Sequence, residues 1–122
     1  MTVRRFVVPV LTASGGATVY TPAIYGHIES IRYVKTDFAD TVDFAITAET
    51  TGEGIWTEEN VTASATRHPR AATHSVAGAA SLYASGGTAV NGKIALGGDR
   101  VKIVVANAGD GKIGTFHVTV SE

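Results

Sequence analysis

Short runs of alternating apolar and polar residues are the feature that most restricts how this chain can fold. In the run 42–47, valine, phenylalanine and isoleucine occupy every second position, with aspartate, alanine and threonine between them. The same alternation recurs at 93–96, 101–106 and 113–120. Successive side chains of a strand point to opposite faces, so this period of two is typical of a strand with one buried face. The pattern predicts an all-β fold.

The predicted strands are short and are separated by turns rich in glycine or aspartate. They cover approximately residues 4–12, 17–24, 27–35, 42–47, 55–57, 93–96, 101–106 and 113–120. Seven to eight strands at this spacing predict a single β-sandwich domain over residues 1–122, of jelly-roll-like or immunoglobulin-like type. The turn at 13–16 and the Asp110-Gly111 pair predict hairpins between the strands that flank them.

Three strands carry further information about their position. Pro9 has no N–H to donate to a ladder, so the first strand should lie at a sheet edge or contain a bulge. The strand 101–106 is apolar on both faces and should be central. In the last strand the apolar residues from Phe116 onwards should point inward, while His117 and Thr119 point outward.

The composition agrees with a folded β protein. Hydrophobic residues make up 44% of the chain and charged residues 17%, a balance that allows a core and argues against disorder. Glycine, alanine, threonine and valine dominate, whereas strong helix formers are scarce. Because there are no cysteines, neither disulfides nor thiolate metal sites can stabilise the fold, which fits assembly in a reducing cytoplasm.

The charge and hydropathy of the chain argue against two classes of partner. A net charge of −1 provides no general basic field for nucleic acid, so direct binding to DNA or RNA is not expected. The N-terminal Arg4-Arg5 pair and the apolar run 6–11 are too short for a secretory signal. No apolar run approaches the roughly 20 residues needed to cross a bilayer. We therefore expect no membrane partner.

Residues 58–92 interrupt the strand pattern and are predicted to form one long irregular insertion, an extended loop or arm. Alanine, serine, threonine and glycine prevail there, and the periodic apolar residues needed for a core are missing except around 76–83. Residues 77–83 suggest a single helical turn, weakened by Gly78. Loops this long are uncommon in compact domains and are usually functional or disordered.

The insertion contains the candidate partner-binding residues. Arg67, His68, Pro69 and Arg70 form a basic cluster in an otherwise almost uncharged segment. Arginine is a favoured anchor at protein interfaces, so this cluster is predicted to dock on a partner and to become ordered on assembly. A solvated loop tip is the alternative. Trp56, the only tryptophan, precedes the insertion and belongs either to the core or to the same interface.

Two groups of side chains merit comparison with metal sites. His68 and His74 match no zinc spacing, and cysteine ligands are absent. Asp37, Asp40 and Asp43 lack the alternate ligand positions and the glycine of a calcium loop. Turn capping and protection of a sheet edge are ordinary roles for such aspartates. We expect no metal and no other cofactor.

No motif in the chain supports catalysis. The Gly-Asp-Gly-Lys sequence at 109–112 lacks the spacer, the hydroxyl residue and the following helix of a phosphate-binding loop. No Gly-x-Ser-x-Gly elbow is present, and no cysteine is available as a nucleophile. Glu58 and Glu59 are adjacent, so in an extended chain they would point to opposite faces. The expectation is that the protein is not an enzyme.

Several segments together resemble small accessory virion proteins encoded among the head genes of tailed bacteriophages. The segments are 31–40 (IRYVKTDFAD), 42–44 (VDF), 55–56 (IW), 67–70 (RHPR), 77–83 (AGAASLY) and 114–118 (GTFHV). The resemblance extends over nearly the whole chain and includes no catalytic motif.

This resemblance implies a virion structural protein that assembles in the bacterial host cytoplasm. It implies a capsid decoration or cement protein, a dimer or trimer that contacts the major capsid protein or neighbouring virion proteins. A neck or tail component, as a connector, stopper or terminator, is the alternative from the same class. A carbohydrate-binding β-sandwich is the alternative from another class, and it would need Trp56, Tyr33 and Tyr83 clustered on one exposed face.

Overall fold

The computed structural model describes residues 2–122, and that part of the chain contains ten β-strands and no helix. The strands are β1 (Val3–Leu11), β2 (Ala17–Tyr20), β3 (Ile24–Lys35), β4 (Asp43–Ala48), β5 (Gly54–Glu58), β6 (Ala65–Arg67), β7 (Arg70–Ala72), β8 (Asn91–Asp99), β9 (Val101–Ala106) and β10 (Ile113–Ser121). The predicted all-β fold is therefore confirmed.

The strands form two antiparallel sheets. One has the order β1-β10-β3-β8-β7, with β6 pairing on β3, and the other has the order β2-β9-β4-β5. If the short strands β6 and β7 are set aside, the remaining eight are divided between the sheets. One sheet has the order first-eighth-third-sixth, and the other has the order second-seventh-fourth-fifth. This is the strand order of a jelly roll, in which eight strands form two facing sheets.

The core lies between the sheets and is built around aromatic rings. Tyr33 and Phe116 come from the six-stranded sheet, and Phe44 and Trp56 come from the four-stranded sheet. The Phe44 ring centroid lies 4.6 Å from that of Tyr33 and 4.9 Å from that of Phe116, both with edge-to-face geometry. Such pairs add to the free energy of burying the rings. The two sheets are thus joined by one continuous core.

The strand positions inferred from single residues are mostly correct. β9 is central, although Lys102 and Val104 on its outer face are only half-buried. β1 is an edge strand, as Pro9 predicted. Thr12 N donates to Lys112 O, so the even-numbered residues of β1 direct their backbone groups towards β10 and Pro9 directs its backbone outward. The missing N–H of Pro9 therefore costs no ladder hydrogen bond.

The two predicted hairpins are wrong. The turn at 13–16 joins β1 to β2, and the turn at 107–112 joins β9 to β10, yet each pair is divided between the two sheets. The turns pack against each other at one end of the molecule. There the Thr12 hydroxyl donates to Gly109 O at 2.6 Å and accepts from Lys112 N at 2.9 Å. Glycine-rich turns were correctly located, but local turn chemistry does not distinguish a hairpin from a crossing between sheets.

The long insertion is more regular than its composition suggests. Residues 65–67 pair with the second half of β3, and residues 70–72 pair with β8. Val61 and Pro69 are buried, so the segment 58–72 belongs to the fold. The helical turn predicted at 77–83 is absent. No helix that is long and apolar enough to cross a membrane occurs in residues 2–122.

Candidate functional site

The predicted partner-binding cluster lies at the turn between β6 and β7. Arg67 ends β6 and Arg70 begins β7. Between them His68 is exposed, whereas Pro69 is buried. Both arginines are directed back onto their own chain, and each holds a different part of the insertion in place.

Arg67 connects β6 to the four-stranded sheet through its contacts with β5. Its Nε and Nη2 donate to the two carboxylate oxygens of Glu58 at 3.0 and 2.9 Å. Its guanidinium also lies 5.5 Å from the centroid of the Trp56 ring. The Trp56 Nε1 donates to Glu58 Oε1 at 3.0 Å, and the indole is only 6% exposed. Trp56 is therefore a core residue whose polar edge helps to orient the bidentate ion pair.

Arg70 holds β7 beside β3. Its Nη1 donates to the carbonyl oxygens of Pro69 at 2.8 Å and Glu29 at 3.2 Å. Its Nη2 lies 4.0 Å from Glu29 Oε2, and Lys93 Nζ from β8 donates to Glu29 Oε1. Hydrogen bonds from Lys93 and Ser121 lower the pKa of Glu29. The Glu29 carboxylate thus joins β3, β7 and β8 on one surface.

The cluster therefore differs from a free basic arm. The charges of Arg67 and Arg70 are matched by Glu58 and Glu29 in the unbound chain. A partner could use the exposed His68, or it could displace the exposed half of these ion pairs, at the expense of contacts that hold the insertion. Docking at these residues stays a prediction, and their observed contacts stabilise residues 58–72.

The second half of the insertion, residues 73–90, forms a small hydrogen-bonded projection that we call the arm. Thr73 N donates to Val90 O at 2.8 Å, and these two residues close its base. Ser81 N donates to Thr73 O and Tyr83 N donates to Thr88 O, at 2.9 and 3.0 Å. No residue of the arm is buried. Hydrogen bonds, most of them between backbone groups, give this segment its shape.

Three large apolar side chains stand exposed on the arm. Val76 is fully exposed, Tyr83 is 76% exposed and Leu82 is 41% exposed. In the sequence they are the only large apolar residues among small ones between 73 and 89. That isolation was the available signal for a contact surface, and attention to the arginines missed it. The charged residues lie in the part of the insertion that packs on the fold, residues 58–72. The exposed apolar residues lie in the arm.

The three aspartates that were compared with a calcium loop have separate structural partners. Asp37 accepts from Ile113 N at 2.6 Å, and Asp40 pairs with the Lys35 ammonium. Asp43 accepts from Asn60 N at 3.0 Å and from Asn107 Nδ2 at 2.6 Å. Each carboxylate ties two chain segments together, as expected of turn-capping aspartates. Within residues 2–122 no three or more histidine, aspartate or glutamate side chains are close enough to hold a metal ion.

Comparison with known proteins does not assign the chain to a family. None of the protein-family models searched matches it, and no curated protein matches it.

Proposed function

We propose that the chain is a non-enzymatic structural protein of a tailed-bacteriophage virion that decorates the capsid and stabilises it through protein–protein contacts. The arm is the observation that carries this proposal. A projecting segment that covers none of its own chain and exposes three large apolar side chains suits a surface that a neighbour covers.

The shape of the arm favours binding without a large ordering cost. Its backbone is paired at the base and again near the tip, so few torsion angles need to be fixed on association. Preorganisation of this kind raises affinity by lowering the entropy lost on binding. Tyr83 supplies a broad, rigid contact surface of the type enriched at interfaces. Val76 and Leu82 add further exposed apolar area to the arm.

The jelly-roll strand order is compatible with this role and does not decide it. Jelly rolls occur in viral capsid proteins, in lectins and in cupins, so the fold alone assigns no function. A carbohydrate site built on Trp56, Tyr33 and Tyr83 would need all three rings on one exposed face. Tyr33 and Trp56 lie in the core, and only Tyr83 is exposed. We therefore favour the protein-contact role over carbohydrate binding.

The proposal is tested by binding to purified, DNA-free capsids of the phage that encodes the chain. We expect the wild-type protein to co-sediment with capsids saturably, and the Val76→Ser, Leu82→Ser, Tyr83→Ser triple variant to bind at least tenfold more weakly. All three side chains are exposed, so the variant should fold normally. Tyr25→Ser is the matched control, because Tyr25 is an exposed tyrosine outside the arm. It should bind like the wild type.

Two results would contradict the decoration role. One is a protein that ignores capsids but joins portal complexes, which would indicate the neck. The other is a triple variant that binds capsids as the wild type does. The size of the purified protein in solution adds an independent test, because a dimer or trimer fits decoration and a ring of six or twelve subunits fits a neck component.

A further inference from the structure

Two of the arginines differ from the other four in having no carboxylate partner. Of the six arginines, four pair with a carboxylate: Arg4 with Glu122, Arg67 with Glu58, Arg70 with Glu29 and Arg100 with Glu49. Among residues 2–122, Arg5 and Arg32 have no carboxylate within ion-pairing distance. Both are exposed.

Strand register brings these two arginines to the same surface. Arg5 of β1 lies opposite Thr119 of β10, and Arg32 of β3 lies opposite His117 of β10. Residues 117 and 119 share one face of β10, so both guanidinium groups project on the outer side of the six-stranded sheet. Their strands are two spacings apart, about 10 Å. Both side chains can reach a ligand that lies over β10.

A shallow depression lies between them. Its polar lining comprises Arg5, Ser30, Arg32, Thr66, His117 and Thr119, and its volume is roughly 320 Å³. Every one of these side chains can donate a hydrogen bond, and no carboxylate lines the depression. Arg32 Nη1 donates to Thr66 Oγ1 at 2.9 Å, which orients its guanidinium. The nearby Glu29 is engaged by Lys93 and Arg70.

An apolar strip continues from the depression along β1 and β10. Val7, opposite His117, is 53% exposed. Further along, Leu11 and its cross-strand neighbour Ile113 are 68% and 45% exposed. These residues lie on the outer side of the six-stranded sheet, opposite the face that packs on the core, and they remain exposed. We call the depression and this strip together the outer face.

We propose that the outer face binds an acidic, partly apolar segment of a partner protein. Its carboxylates would pair with Arg5 and Arg32, and its apolar side chains would cover Val7, Leu11 and Ile113. Guanidinium groups favour carboxylates because two parallel hydrogen bonds can form. The two arginines without a carboxylate partner and the lining free of carboxylates make the surface complementary to such a segment.

The same face fits nucleic acid less well. A phosphate backbone is bound by several cations spread along its length, and only two arginines are uncompensated here. The adjoining strip is apolar and would gain nothing from phosphate or sugar. The inference does not depend on capsid decoration, since the outer face and the arm share no residue.

The test uses a blocked hexapeptide of alternating glutamate and leucine, titrated into ¹⁵N-labelled full-length protein. We expect amide shifts concentrated on β1, β10 and residues 30–34 of β3. The Arg5→Gln, Arg32→Gln double variant should weaken binding at least tenfold. The Lys102→Gln, Lys112→Gln double variant removes the same charge without breaking an ion pair, and it should bind like the wild type.

Three outcomes would overturn the inference. They are the absence of saturable shifts on the outer face, equal weakening in the two double variants, and equal binding of a peptide in which serine replaces leucine. A single-stranded oligonucleotide of matched charge serves as a further probe. If it binds the outer face more tightly than the peptide, the surface recognises phosphate and the proposed partner is wrong.

Discussion

The Tyr33 hydroxyl is an unusual group in this core. The residue is fully buried among aromatic rings, and within residues 2–122 its oxygen has no hydrogen-bond partner. Burial, reinforced by the negative charges of Asp37 and Asp40, raises the pKa of Tyr33 to about 12. The ring therefore provides packing, whereas the hydroxyl carries an unrecovered desolvation cost.

Replacing Tyr33 with phenylalanine should separate these two effects. At pH 7 we expect Tyr33→Phe to match or exceed the wild type in unfolding free energy, by up to about 1–2 kcal/mol. Above pH 10 the unfolded tyrosine ionises first, so the unfolded state binds fewer protons and the wild type loses stability as pH rises towards 12. That loss approaches about 2–3 kcal/mol and is missing in the variant. Urea unfolding at pH 7, 9 and 11 measures both effects.

The control for this comparison is Tyr25→Phe, because Tyr25 is exposed. It should follow the wild type across the whole pH range. If Tyr33→Phe and the wild type lose stability in parallel above pH 10, the Tyr33 proton is not linked to folding as described.

Gly26 is a second residue with a specific structural requirement. Its φ is +140°, and a Cβ built there would lie 2.1 Å from the carbonyl oxygen of Ser121. We expect Gly26→Ala to lower the unfolding free energy by about 3 kcal/mol or more, because strand β3 must move away from the end of β10. Gly54→Ala has open space and no positive φ, so it should change stability by less than about 1 kcal/mol. Equal effects in urea unfolding would contradict this account.

At the scale of elements, the insertion consists of two parts with different roles. Residues 58–72 contribute two paired strands, the buried Val61 and Pro69, and the Arg67–Glu58 ion pair beside Trp56. The arm contributes no buried residue. The first part is a component of the fold, and the second is attached at a closed, hydrogen-bonded base.

Two deletions should therefore behave differently. Replacing residues 74–89 with two glycines should change the unfolding free energy by no more than about 1 kcal/mol, because Thr73 and Val90 already lie together and loop length affects stability weakly. Deleting 58–91 should abolish cooperative folding, because it removes β6, β7 and buried side chains. Circular dichroism and urea unfolding compare the two. Loss of folded protein in the shorter deletion would contradict the division.

The elements that sequence analysis identified correctly are those with a period of two. The core strands that contain Phe44, Ile103 and Phe116 lie where alternation predicted them, because one face of each is buried. The order in which strands pair within each sheet was not predictable, since it depends on contacts between residues distant in sequence. The strands β6 and β7 were missed because each has three residues, too few to display any period.

The candidate surfaces were less predictable than the fold. Arg67 and Arg70 attracted attention as charges, but their partners Glu58 and Glu29 become neighbours only through folding. For the same reason, the outer face could not be identified from the sequence. Arg5 and Arg32 lie on either side of β10 although they are 27 positions apart in the sequence. The sequence shows where a charged residue lies, but it does not show whether folding places an opposite charge beside it.

At the scale of the whole molecule, a jelly roll carries two separate exposed surfaces. The arm projects from the connection between β7 and β8, and the outer face lies on β1, β10 and β3. A protein with two independent contact surfaces can bridge two neighbours, which the proposed decoration role requires. With a net charge of −1, neither surface depends on a long-range field, and local complementarity must select the partner.

Cryo-electron microscopy of capsids saturated with the protein tests the central proposal most directly. We predict regularly spaced density on the shell, with the arm in contact with capsid subunits and with Val76, Leu82 and Tyr83 buried in that contact. Shells with no added density, or density in which the arm points into solvent, would contradict the proposal.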